Sequence, residues 1–265
     1  ANNISIGPNN WSSTGVEGDS NITIGDNAMN SLTTGRSNIG IGTTLNALTT
    51  GSNNVAVGDN SLLGSNGDYN VAVGTRAYQQ GTGGSNVIIG GDAMSKYSGN
   101  NNVVMGTQAM FYGSGSNNVA IGTNANYNGT NSAATYTGTT AVGHNAQASA
   151  EDAVAIGKNA NSSREQAISI NGTASGYSSI AMGTDSSTDG SYGVAIGNSA
   201  HTERNYSVAI AFDSTATGYM SIAIGNGSTA SAYSSIAIGS YAKANGRRNI
   251  AIGENALYNN QSGNS

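Results

Sequence analysis

The chain has 265 residues, of which 37% are apolar, 9% charged and 6% aromatic, with 39 glycines, one proline, no cysteine and a formal net charge of −5. This excludes an ordinary compact globule, disulfide and thiolate chemistry and a basic surface for nucleic acid, because the nine basic residues are scattered and only Arg247 and Arg248 adjoin. No apolar run approaches the ~18 residues of a bilayer span and the first residues lack a signal-peptide pattern, so direct membrane insertion is not expected.

The apolar residues keep a beat, and that separates the chain from a disordered one. The pattern apolar-x-apolar-Gly starts at Ile4, Ile22, Ile39, Val55, Val71, Val87, Val103 and Val119, and resumes at Thr140, Val154, Ile168, Ile180, Val194, Val208, Ile222, Ile236 and Ile250. That is seventeen units. From Ile39 to Val119 each step is 16 residues; from Thr140 to Ile250 each is 14, except the 12 between Ile168 and Ile180. A 21-residue step from Val119 to Thr140 separates the two registers and reads as a looped-out coil. The sequence therefore divides at 1–139 and 140–265, expected as one continuous stack. The first unit is long and holds the single Pro8 and the single Trp11, as terminal repeats do when they cap a solenoid.

Within each unit the three-residue alternation ending on Gly predicts a short strand followed by a turn. Six positions after the anchor stands a small residue in most units, as at Ala28, Ser61, Ala77, Ala93, Ala160, Ala200 and Ala242, which predicts a second strand packed closely on something. Two strands and two turns in 14 to 16 residues make one coil of a flattened solenoid, with equivalent residues stacked ~4.8 Å apart. The residue before the anchor supports stacking: Asn54, Asn70, Asn86, Asn102 and Asn118 form a predicted side-chain amide ladder, with Asn3, Asn21, Asn38 and Asn249 in the same column. The 16-residue register adds Met29, Leu62, Tyr78, Met94 and Met110, echoed by Leu257, as an apolar column expected to face inward or across a subunit interface. So thin a coil, with two aliphatics per unit, is expected to gain support by associating with other chains.

The segments "VAIGKNANSSREQ" (154–166), "VAIGNSAHTERNYS" (194–207), "IAIGNGSTASAYSS" (222–235) and "IAIGSYAKANGRRN" (236–249) resemble the 14-residue head repeats of YadA-type trimeric autotransporter adhesins. The 16-residue register is similar to repeats in phage tail fibres and mosaic bacterial fibre tips. The resemblance implies an all-β, left-handed parallel β-roll of about seventeen coils assembled as a homotrimer, with Val154/Ile156 and Ile236/Ile238 among its core residues. It also implies display outside the cell, on a bacterial surface or a virion tail fibre, and attachment to a host or prey surface protein or glycan.

Catalytic chemistry finds little footing. The five Glu and nine Asp fall mostly at turns, as Asp26, Asp59, Asp92 and Asp185 do, rather than in the facing pairs of a glycosidase. His144 and His201 occupy different places in their coils, which predicts solvent-facing roles rather than a metal pair. No phosphate loop, nucleophile elbow, calcium nonapeptide or threonine array appears. No enzyme activity, cofactor or metal is expected. The candidate ligand-binding edge is a vertical column two or three residues before successive anchors: Tyr177, Tyr192, Tyr206, Tyr219 and Tyr233, flanked by Arg247, Glu165 and Glu151. Stacked rings there would offer faces and hydroxyls to a partner, or shield the coil edge. The reading is a non-enzymatic adhesive fibre segment, with a phage fibre domain or a fibre spacer without its own ligand as alternatives.

Overall fold

The computed structural model describes residues 2–10, 18–44, 50–64, 66–127 and 135–256. Trp11 and Leu257, and the 128–134 part of the expected loop, lie outside them. The described chain contains strands and turns only, in two compact units, 1–145 and 146–265.

In the first unit nine three-residue strands, from Ile4–Ile6 and Ile22–Ile24 to Val119–Ile121 and Thr140–Val142, pair in parallel without slippage, so that Val55 lies beside Val71 and Val71 beside Val87. The second unit has eight such strands, from Val154–Ile156 to Ile250–Ile252, and a second parallel sheet of eight two-residue strands, from Gln147–Ala148 to Lys243–Ala244. Each coil is thus one turn of a β-solenoid.

The apolar alternation is buried in the opposite sense from the resemblance's expectation within one chain. The middle residue of each strand points in, as Ala155, Ala195 and Ala237 do, whereas the anchor and the residue two places on point out. Ile156 and Ile238 stay 38% and 37% exposed. The cause is thickness. The interior of the 14-residue coil that starts at Val154 is filled by the small side chains of Ala155, Ala160, Ser162 and Ala167, and the larger Val154 and Ile156 stand on the outer side of the strand. Each unit consequently carries two parallel aliphatic columns on its outer face.

The 16-residue coils solve the interior differently. Both registers have a left-handed residue five places after the anchor, such as Asn60 (φ 55°) and Asn159 (φ 59°). The longer coils add a second two places on, at Leu62, Tyr78, Met94 and Met110, with φ between 47° and 53°. That kink turns the chain back and drives the large side chain inward, where all four are at most 1% exposed. It also replaces the expected second strand by a tight turn. Among the described residues of this register a second strand survives only at Lys96–Ser98 and Tyr112–Ser114.

The two registers also differ in how they join coils. In the first unit the Asn54 Oδ1 accepts the backbone N–H of Asn70 at 2.8 Å, and its Nδ2 donates to the Gly67 carbonyl at 2.9 Å. Asn70, Asn86, Asn102 and Asn118 repeat the pattern, ending where the Asn118 Oδ1 accepts from Thr139. Two buried tyrosines tie in, Tyr78 to Asn86 at 3.3 Å and Tyr97 to Asn118 at 3.2 Å; burial pushes the Tyr97 hydroxyl well above its ordinary pKa. In the second unit Ser179, Ser207, Ser221 and Ser235 hold this place and donate to a carbonyl three residues back in their own turn. One ladder joins successive coils; the other staples single turns.

The glycine that ends each first strand sits at positive φ, and a Cβ there would meet the next coil, as at Gly183, 2.5 Å from the Gly197 oxygen. Ala211 occupies this column without being glycine, at a φ of 111° that lies within the range of the column's glycines, from 103° at Gly42 to 141° at Gly106. Replacing Ala211 with Gly removes the strain of a positive φ at a smaller entropic cost, so A211G is expected to stabilise by about 1 kcal/mol, raising Tm by roughly 2–4 °C in a thermal melt followed by circular dichroism.

Candidate functional site

Each tyrosine of the predicted edge sits at the turn that leads into a first strand. Tyr192 and Tyr206 are themselves the left-handed residue of that turn (φ 58° and 60°), while Tyr177, Tyr219 and Tyr233 directly precede it, at Ser178, Met220 and Ser234. The one-residue alternation still leaves the rings in one column, because both positions flank the same corner. Tyr177, Tyr192, Tyr206 and Tyr233 are 41–52% exposed and Tyr219 is half-buried. The edge is therefore open to solvent in the single chain.

The rings are arranged differently from the sequence reading. Tyr192 and Tyr206 stack at 5.0 Å between centroids and 5° between planes, and Tyr219 and Tyr233 stack at 5.5 Å and 11°. Because coils repeat at a similar spacing, the faces cover one another and the column presents ring edges and hydroxyls. Arginines close both ends. The Arg164 guanidinium lies 5.5 Å from the Tyr177 centroid and that of Arg247 lies 5.3 Å from the Tyr233 centroid. Between Tyr192 and Tyr233 the stacking is interrupted where Tyr206 and Tyr219 meet at 79° and 5.8 Å, and Tyr177 stands apart under Arg164. A cleft of about 290 Å³ lined by Glu203, Arg204, Asn205 and Tyr219 lies beside that break.

Other chemistry-bearing groups are dispersed. His144 is exposed at a turn, as expected, but His201 is half-buried on the second sheet, its Nδ1 2.7 Å from the Ser187 Oγ of the coil below. No carboxylate is in hydrogen-bond contact with that pair among the described residues, and no group of three His, Cys, Asp or Glu could hold a metal ion there. Asp92 pairs bidentately with Arg76 of the preceding coil, at 2.6 and 2.7 Å, as a surface tie that raises the Arg76 pKa. Sequence reasoning missed Arg164 as a ring partner, since its place in the turn becomes visible only once the coils stack. It also missed the cluster of Phe111, Tyr112 and Tyr127, with the Lys96 ammonium over the first two rings.

Comparison with known proteins agrees with the repeat pattern. The family model described as the YadA head domain repeat (2 copies) matches residues 137–160, 174–200, 189–210 and 216–242, and these stretches are YadA-like head repeats. No curated protein matches the chain. Among solved structures, the collagen-binding domain of the Yersinia adhesin YadA is similar at 27% identity and a TM-score of 0.37, over 46% of this chain and 63% of that one. The chain thus spans less than two thirds of that domain's length. No helix among the described residues is long and apolar enough to cross a membrane.

Proposed function

We propose that the chain is a non-enzymatic adhesive head segment of an extracellular fibre, in which three copies pack through the aliphatic columns and attach to a molecule on a host or target-cell surface. The observation that carries this reading is the outward pair of columns, Val154 with Ile156 through Ile236 with Ile238, repeated on a coil whose own interior is alanine and serine. Contiguous exposed apolar surface of this kind is rare on monomers and marks an interface. Burying it against further copies supplies the apolar area the thin coil lacks. The number three and the cell-surface or virion setting rest on the repeat resemblance.

The tyrosine edge is the proposed contact surface, acting through hydroxyls and ring edges rather than faces, with weak contacts multiplied over three copies. Light scattering tests the assembly. A mass of three chains is expected, and Ile196→Asp, placed on an exposed aliphatic position, is expected to yield monomers; a monomeric wild type removes the trimer and its avidity. A panel of glycans and matrix proteins, collagen included, then tests attachment. Retention by at least one member, lost in the Tyr192→Ala/Tyr206→Ala double variant with mass unchanged, supports the edge. Retention unchanged in that variant moves the contact elsewhere, and no retention on any member leaves a fibre spacer.

A further inference from the structure

The single 12-residue step has a structural consequence at one turn. From anchor to second strand the neighbouring coils take seven residues (Val154 to Asn161, Ile180 to Ser187), whereas the short coil takes five (Ile168 to Thr173). From second strand to next anchor all three take seven. The whole deletion is therefore absorbed between the two strands, and both sheets pass through it in unbroken register. The turn of the short coil is drawn inward while the turns above and below still project. Between them opens a notch of about 370 Å³.

Its walls and floor are polar. Lys158 and Asn159 come from one neighbouring coil, Thr184 and Asp185 from the other, and Asn171 and Thr173 from the retracted turn between them. Gly172 completes the floor, where a Cβ would stand 2.2 Å from the Ser186 Oγ, which can rotate away, and 2.9 Å from the Ser186 backbone oxygen, which cannot. Among the described residues neither the Lys158 ammonium nor the Asp185 carboxylate belongs to an ion pair, and both side chains are exposed. An unfilled concavity with a donor on one wall and an acceptor on the other has the size of a small-ligand site, about 300–1,000 Å³, but lacks the aromatic and aliphatic lining that would select an apolar molecule.

We propose that this notch binds one hexopyranose unit of a surface glycan. Vicinal hydroxyls of such a ring donate to the Asp185 carboxylate, and its ring or hydroxyl oxygens accept from Lys158 Nζ, Asn171 Nδ2 and the Thr173 hydroxyl. The full-length turns above and below bound the notch along the stack, at a height that suits one sugar ring. The site lies within one chain and away from the tyrosine edge, so it goes beyond the adhesive reading and does not depend on the trimer.

The test is saturation-transfer NMR and titration of the intact chain with free hexoses, hexosamines and short oligosaccharides. At least one neutral sugar is expected to bind, with Asp185→Asn weakening it about tenfold, the scale of a lost charged hydrogen bond. Inserting two residues between Asn171 and Gly172 restores the turn length of the neighbours and is expected to abolish binding while the β-rich circular dichroism stays unchanged. Tyr206→Ala is expected to leave sugar binding untouched. The proposal is overturned if no sugar of the panel binds, if binding survives the insertion, or if it disappears with Tyr206. A monomeric mass in light scattering, by contrast, removes the trimer and leaves this site standing.

Discussion

Gly225→Val is expected to unfold the second unit, and the reason is the stacking distance rather than the turn alone. Gly225 has a φ of +133°, and a Cβ built there lies 2.5 Å from the Gly239 oxygen and 2.6 Å from its carbon. Those atoms are backbone held by the next coil, where the Gly239 N–H donates to the Ile224 carbonyl at 2.8 Å. They cannot swing aside as a side chain would. Ala211 shows that the column can seat one methyl at positive φ, and Gly225→Ala, which places a Cβ in a conformation L residues rarely adopt, should cost about 1–2 kcal/mol. Valine adds two branches to a backbone conformation that β-branched residues essentially do not enter, and a loss above about 4 kcal/mol is expected. Gly253 provides the internal control. It has a comparable φ of +121° but nothing within 4 Å of a built Cβ, so Gly253→Val carries the conformational strain without the collision. Urea titrations of the three variants, read by circular dichroism, should rank Gly225→Val far below Gly225→Ala and Gly253→Val. Equal losses for the two valine variants would show that stacking contributes nothing.

Asn86→Ala is the second large effect, and it falls on the first unit. The Asn86 Oδ1 accepts the Asn102 backbone N–H at 2.9 Å and its side-chain N–H at 3.0 Å, while its Nδ2 reaches the Asn70 Oδ1 at 3.0 Å and the Gly99 carbonyl at 2.8 Å. All of this is fully buried at Asn86 itself. Alanine leaves a donor and an acceptor of the next coil without partners in a space water does not reach, at about 1–3 kcal/mol for each, so a loss of roughly 3–5 kcal/mol is expected. Asn86→Thr should recover part of it, because Thr139 closes the same column by donating its hydroxyl to the Asn118 Oδ1 at 2.8 Å. The matching substitution in the other register, Ser221→Ala, removes only a bond to Gly218 within one turn. Ala153 and Ala167 already occupy that column without a hydroxyl, and a loss of about 1 kcal/mol or less is expected. Chemical denaturation of each variant, compared at equal temperature, decides between a ladder that binds coils together and a set of independent turns.

These two results would separate what holds each register, and they bear on how the stacked coils tolerate change. A stack whose coils touch only their neighbours transmits a local fault to the adjacent coil first. Substitutions at the outward turns, where the tyrosine edge and the notch lie, therefore leave the stack intact. That is the arrangement expected of a scaffold whose binding surface varies while its interior does not.

Much of this protein was legible in the order of its residues. The recurrence of Val-x-Ile-Gly at 14 or 16 residues fixes parallel, in-register coils, because only a stack keeps every strand paired at constant spacing. The asparagine column, the small residue six places after most anchors and the methionine column follow from the same counting, since each is a property of position within the coil; that the methionines face inward was one of two placements the counting left open. What the tertiary structure decided is which side of a three-residue strand is inside. Period-two alternation is symmetric, so Val154 and Ile156 could have faced either way; Ala155 and the three small residues Ala160, Ser162 and Ala167 close the interior, and the aliphatics face outward. The sequence likewise marked the tyrosine column and expected stacked rings, but not that the faces cover one another and leave edges and hydroxyls outward, because ring orientation depends on the height between coils. It showed a 12-residue step but not a notch, because the two missing residues could have been taken from either turn, and only the unbroken register of both sheets placed the deletion beside Asn171.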